Sequence, residues 1–287
     1  MNLIKPENLK KGDTIGIIAP SGILDRESFL KGIENFKKLG FRVHFNERIF
    51  DKKRYLAGND GDKIKEIENY FKNPEIKGII CARGGYGAIR LIEKINYEII
   101  KNNPKYFGGY SDITALQLMF LKRAGLITYT SPMIQSDFGV DEISDYTVDN
   151  FLNPISELCG EIVNAGEANG ILWGGNLSTI VSMCGLDFLP EEDFIFFVED
   201  VSEPVYKIDK MLQQLMNIKQ FRKNIKGIVF GEFSSCGNEE FLKELEIETA
   251  AELTITAIEC INITHSKDKL TLPVGLQAKI CDGKLFL

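Results

Sequence analysis

The chain is poor in histidine and tryptophan. Its 287 residues hold two histidines, His44 and His265, and one tryptophan, Trp173. Any chemistry that needs a histidine base has few places to find one. None of the six cysteines (Cys81, Cys159, Cys184, Cys236, Cys260, Cys281) forms a C-x-x-C pair. Several sit in apolar runs, the pattern of buried free thiols in a reducing compartment. No H-E-x-x-H and no Cys/His ligand spacing is present, so a metal site has no sequence support. G-x-x-x-x-G-K-[ST] is absent as well, and no cofactor is expected. There is no basic excess. The formal net charge is −7, which excludes general nucleic-acid binding, since that needs a basic face. Lys10-Lys11 and Lys52-Lys53 read as solvated surface. The strongest apolar runs, 194–198 and 78–82, are far too short to span a bilayer. Residues 1–11 are mixed polar without the apolar core of a secretory signal, so a cytoplasmic protein is expected.

What is present is alternation. In the first half, strand-like runs at 14–19, 41–45, 78–82 and 106–109 exchange with helical spacings. Phe29, Ile33 and Phe36 mark one helix, Ile64, Ile67 and Phe71 another. Further helices are expected over 88–95 and 113–123. This pattern predicts an α/β fold with a parallel sheet and helices on both faces. Beyond about residue 140 the rhythm changes. Residues 141–168 are acidic and irregular and read as a linker with helical pieces. After them strand-like runs dominate at 170–173, 194–198, 227–231, 269–272 and 279–281. One helix is clear, carrying Ile208, Met211, Leu212 and Leu215 on one face. The expected organisation is an α/β domain over 1–140, a linker over 141–168 and a β-rich domain over 169–287.

Two Gly-rich segments follow strands, at the carboxyl ends where open α/β sheets bind ligands. Arg83-Gly84-Gly85-Tyr86-Gly87 fails as a dinucleotide fingerprint, because Arg90 stands where a third glycine is needed. A tight turn needs fewer glycines than these, and close backbone approach to a ligand explains the surplus. In Gly108-Gly109-Tyr110-Ser111-Asp112-Ile113-Thr114, Ser111 falls between a strand and a helix, the place of a nucleophile elbow. A helix start also provides N–H groups and a positive dipole end for an oxyanion. The segment departs from G-x-S-x-G at Ile113. A serine there also serves as an ordinary N-cap, as Asp112 does. Glu199 and Asp200 end an apolar strand, where either carboxylate can orient a histidine. His265 follows the alternating Ile261-Asn262-Ile263, whereas His44 lies in a strand-like run away from both glycine motifs. Trp173-Gly174-Gly175-Asn176 reads as a domain contact or pocket wall.

In this order the segments resemble the LD-carboxypeptidase family, serine peptidases that include muropeptide LD-carboxypeptidases and microcin C immunity hydrolases. The similarity runs nearly end to end. It takes in Lys11-Gly12-Asp13, Ala19-Pro20-Ser21-Gly22, Tyr55-Leu56-Ala57-Gly58, both Gly-rich segments, Ser131-Pro132-Met133, 170–177, Val198-Glu199-Asp200-Val201, 206–212 and Leu272-Pro273-Val274-Gly275. The resemblance implies a Ser-His-Glu triad of Ser111, His265 and Glu199. It implies an oxyanion hole from the backbone N–H groups of Asp112 and Gly85. It also implies a site at the junction of the two domains, and a homodimer. The chain departs from the family at Thr264, where glycine commonly precedes the histidine. It departs again at Asn59-Asp60-Gly61, where acidic residues are more typical.

The expected function is hydrolysis of an amide between an L-centre and a terminal D-amino acid, as in a muropeptide tetrapeptide. The expected partner is a small peptide, with no nucleic acid and no membrane. One alternative keeps the chemistry and changes the substrate, as an amidase that detoxifies a peptidyl-nucleotide or acyl-amino-acid conjugate. Another is a non-catalytic binding protein that retains the pocket.

Overall fold

The structure, a computed structural model, describes residues 2–287. Two sheets organise it. The first has six strands in the order Leu272–Val274, Thr128–Thr130, Tyr106–Gly109, Ile76–Cys81, Thr14–Ile18, Arg42–His44. All neighbours are parallel except Leu272–Val274, which pairs antiparallel with Thr128–Thr130. Period-2 alternation gives each face its own core. Ile15, Ile17 and Ile80 pack with Phe29, Phe36 and Phe138 on one side. Ile18, Ile79 and Phe107 face the other side, in a core that continues into the second half of the chain.

The second sheet has eight strands, in the order Glu157–Cys159, Lys284–Phe286, Gln277–Cys281, Ala168–Asn176, Phe194–Val201, Ile225–Ser234, Thr256–Glu259, Glu161–Asn164. Its two outermost strands are separated in sequence by Gly160 alone. The sheet therefore closes on itself, which leaves no long unpaired edge. Gly160 is required at the bend, because a Cβ there would sit 2.7 Å from the Glu259 carbonyl oxygen. Residues 141–168 thus carry both closing strands as well as the helix Asp145–Leu152.

The helix Thr114–Ala124 lies between the two halves. It is buried at Thr114, Ala115, Leu116, Gln117, Leu118, Met119, Phe120 and Leu121, the signature of a helix covered on every side. The half-to-half contact is therefore a continuous hydrophobic core.

Two local expectations change. No helix forms over 88–95. A short 3-10 turn, Ala88–Arg90, is followed by turns, and the helix is Tyr97–Asn102, capped by Asn96, whose side chain accepts from the Glu98 N–H at 3.1 Å. The β-branched Ile89, Ile92 and Ile95 disfavour helix before that cap. The β-rich second half also carries a helix unseen in the sequence pattern, Glu239–Leu253. Its periodicity is scrambled because Phe241 and Ile247 are exposed while Glu246 is buried. No helix among the described residues is long and apolar enough to cross a membrane.

Glu246 makes that helix pH-sensitive. Burial pushes its carboxyl up to about 8; Glu259 and Glu161 add to the push, and Lys243 opposes it. The fold then keeps a proton that the unfolded chain releases near 4.5, so stability falls as pH rises from 4.5 to about 8. Glu246→Gln is expected to raise the melting temperature by about 3–6 °C near pH 9 and to leave it unchanged near pH 4. Thermal melts at the two pH values check this, and an equal shift at both refutes it.

Candidate active site

Ser111 ends the turn after the strand Tyr106–Gly109 with φ +63°, a left-handed conformation that serine rarely adopts. A 3-10 turn, Ser111–Ile113, leads directly into the buried helix Thr114–Ala124. Two polar groups fix this elbow. The buried Asp112 carboxylate accepts from the Ser21 hydroxyl at 2.6 Å and from the Ala88 N–H at 2.8 Å. The Gln117 amide donates to the carbonyls of Gly109 at 2.9 Å and Tyr129 at 2.7 Å. Asp112 thus ties the serine turn to both the 20–22 loop and the end of the 83–87 turn. Burial raises its carboxyl, and the bonds from Ser21 and Ala88 and the charge of Lys63 pull it back.

The 83–87 turn lies against Ser111. A Cβ on Gly84 would be 2.8 Å from the Ser111 Cβ, 3.0 Å from its Oγ and 3.6 Å from the Asp112 N. The Gly84 carbonyl accepts from the Gly22 N–H at 3.2 Å. The peptide is planar and trans, so the Gly85 N–H points the opposite way. It donates to no group among the described residues.

Glu199 and His265 meet from different elements. Glu199 is on the strand Phe194–Val201, and His265 is on the segment that leaves Thr256–Glu259 in the second sheet and returns to Leu272–Val274 in the first. His265 Nδ1 lies 2.6 Å from Glu199 Oε2. A carboxylate only accepts, so Nδ1 carries the proton and neutral imidazole keeps its lone pair on Nε2. That Nε2 is buried and has no hydrogen-bond partner. Burial pushes the Glu199 carboxyl up, and the hydrogen bond and charge of His265 act against that. The His265 ring also meets the Tyr110 ring edge to face at 5.0 Å, which sets it beside the residue that precedes Ser111.

Asp200 does different work. It accepts from Asn176 Nδ2 at 2.9 Å and from the Ser178 N–H at 2.8 Å, at the start of the helix Leu177–Ser182. His44 is remote. It is exposed on the edge strand Arg42–His44, with its ring 5.3 Å from Tyr70.

Sequence reasoning missed the braces of the His265 segment. Glu232 accepts hydrogen bonds from both neighbours of His265, from the Thr264 hydroxyl and from the Ser266 hydroxyl at 2.6 Å. Partial burial works against its charge, but the bonds from Ser234, Ser266 and Thr264 prevail and hold its carboxyl below the usual range. Thr264, in the family's glycine position, is therefore an anchor. Lys269 forms a buried ion pair with Asp137, donates to the Tyr110 hydroxyl at 3.1 Å and lies 4.3 Å over its ring. The one available signal was the crowding of hydroxyls around His265 in Thr264-His265-Ser266. A cavity of about 400 Å³ opens beside His265, walled also by Ser136, Val140, Ser144 and Thr147.

Comparison with known proteins agrees with this architecture. A model of the LD-carboxypeptidase N-terminal domain matches residues 15–131, and one of the C-terminal domain matches 169–280. A probable murein peptide carboxypeptidase of Bacillus subtilis is 31% identical over 96% of this chain and 90% of its own length. A muramoyltetrapeptide carboxypeptidase from Oxalobacter formigenes superposes with TM-score 0.86 at 30% identity, covering 95% of this chain and 97% of that one. An MccF-like protein from Bacillus anthracis gives TM-score 0.89 at 27% identity, with 98% of both chains covered. The chain is a two-domain α/β peptidase. It belongs to the LD-carboxypeptidase family.

The contact between Gly84 and Ser111 leaves no room for a methyl group. Gly84→Ala is expected to displace the serine turn and slow labelling of Ser111 by a fluorophosphonate at least about 10²-fold, with the far-UV spectrum unchanged. Labelling at the native rate contradicts this packing.

Proposed function

We propose that the protein is a serine-type LD-carboxypeptidase that removes the terminal D-amino acid from muropeptide tetrapeptides inside the cell, working as a homodimer. The observation that carries the reading is the His265–Glu199 hydrogen bond, with Nε2 left open on a segment that packs against Tyr110, next to Ser111.

In this reading His265 Nε2 takes the proton from Ser111 Oγ as the oxygen attacks the amide carbonyl. The N–H groups of Gly85 and Asp112 hold the oxyanion, each donor worth about 3 kcal/mol in such sites. His265 then gives its proton to the leaving amine, and the D-amino acid departs. Water, deprotonated by His265, attacks the acyl-enzyme and returns Ser111 to its starting state. Glu199 holds the tautomer and stabilises the imidazolium. The murein-peptide names of the relatives support the substrate class.

A second reading, an amidase acting on a peptidyl-nucleotide or acyl-amino-acid conjugate, draws on the likeness to an MccF-like protein. The two differ in substrate and share the chemistry. A binding protein without catalysis has no need of an oriented imidazole.

An LD-linked tetrapeptide should be hydrolysed and its LL diastereomer spared; hydrolysis of both, or of neither, counts against the reading. Ser111→Ala should fold normally and lose about 10⁴-fold or more in kcat. The working base is neutral imidazole, so kcat/KM should fall on acidification as the coupled His265–Glu199 pair takes up a proton. His44→Ala should keep that profile, and a profile that moves with His44 overturns the assignment.

A further inference from the structure

Among the charged groups around the serine turn, one cation has no counter-ion. Arg83 opens the Gly-rich turn and is half-buried. Its Nε donates to the Gly84 carbonyl at 3.3 Å and its Nη1 to the Ile23 carbonyl at 3.1 Å. No carboxylate among the described residues pairs with it, and Nη2 donates to none of them. The other cations near the site are engaged. Lys269 is paired with Asp137, Lys267 with Glu142, and Arg90 with Asp60 through two hydrogen bonds. Lys63 is buried against the Pro20 carbonyl and lies 3.8 Å from Asp60.

The free end of Arg83 is close to the nucleophile. A Cβ on Gly85 would lie 3.7 Å from Arg83 Nη2, and a Cβ on its neighbour Gly84 would lie 3.0 Å from Ser111 Oγ. Cation and hydroxyl therefore flank the same pair of glycines. Backbone carbonyls hold the guanidinium in place before any ligand arrives, which lowers the ordering cost of binding.

We propose that Arg83 binds the terminal carboxylate of the substrate, on the leaving-group side of the scissile amide, and so sets the enzyme's choice of exopeptidase substrates. This rests on the carboxypeptidase reading and separates it from the amidase one, whose leaving group need not end in a carboxylate. A planar guanidinium suits a carboxylate, and charge-assisted hydrogen bonds are the strong ones. In a chain of net charge −7, an uncompensated cation at the turn also gives an anionic peptide a local target.

The test compares an LD-tetrapeptide bearing a free terminal carboxylate with the same peptide as its terminal amide. The wild-type enzyme should prefer the carboxylate by about 10²-fold in kcat/KM, the scale of a hydrogen bond to a charged group. Arg83→Gln, whose amide nitrogen takes the place of Nε as donor to the Gly84 carbonyl, should bring that ratio close to one, mainly through KM. Arg83→Lys, which keeps the charge and loses the planar fork, should fall between. Fluorophosphonate labelling of Ser111 in each variant reports whether the serine turn survives. A wild-type enzyme that cleaves both peptides equally overturns the role of Arg83 and leaves the carboxypeptidase reading standing. So does an Arg83→Gln variant that loses both activities in proportion. A wild-type enzyme inert toward both peptides overturns the reading, and this assignment with it.

Discussion

The left-handed backbone at Ser111 is the constraint around which the rest is arranged. A non-glycine residue at φ +63° costs about 1–3 kcal/mol and persists only where its surroundings over-determine it. Here they do. Asp112 is clamped by Ser21 and Ala88, Gln117 holds the carbonyls on either side of the turn, and Gly84 closes the remaining space. These contacts come from the 20–22 loop, the 83–88 turn and the strand Thr128–Thr130, so the turn joins the loops that follow Thr14–Ile18 and Ile76–Cys81.

The second constraint is topological. The histidine lies on the one segment that starts in the second sheet and ends in the first, where Leu272–Val274 pairs with Thr128–Thr130. Pairing at both ends limits how far His265 moves from the serine turn. Glu232 and Lys269 then fix the segment from opposite sides, one through Thr264 and Ser266, the other through Asp137 and Tyr110. The buried helix Thr114–Ala124 adds rigidity between the halves, with the Asn176 N–H donating to the Thr114 hydroxyl at 3.2 Å. Hinge opening between the halves would expose this helix and break a common core, so substrate access through the cavity beside His265 fits the packing better.

Much of this was legible in the residues. Strand–turn–helix at Ser111 and the Gly-rich turn at Arg83 are local features, and local sequence encodes them. The choice between Glu199 and Asp200 was not. Adjacent strand residues face opposite sides, and the histidine that meets one of them lies 66 residues further along the chain, beyond any local signal. Glu232 was invisible for the same reason, since its partners Thr264 and Ser266 come from a later segment. The helix Glu239–Leu253 escaped because a buried acid and exposed apolar residues interrupt its period. Asp112 was legible as a cap, but its acceptor capacity goes to Ser21 and Ala88, so it joins loops where a cap would close its own turn.

Thr264 shows how a departure from a family pattern is absorbed. Glycine next to the histidine gives freedom of backbone. Threonine gives that up and gains a side chain that bonds the Glu232 carboxylate, while its Oγ1 also accepts from the Ser266 N–H at 2.8 Å. The segment is then held by side chains, and freedom is replaced by anchoring. The arrangement adds a second carboxylate near His265, beside the orienting Glu199, and the charge of His265 in turn favours ionised Glu232. Hydrogen bonds from Ser234, Ser266 and Thr264 keep that carboxylate ionised, so it stays an acceptor for both neighbours of the histidine.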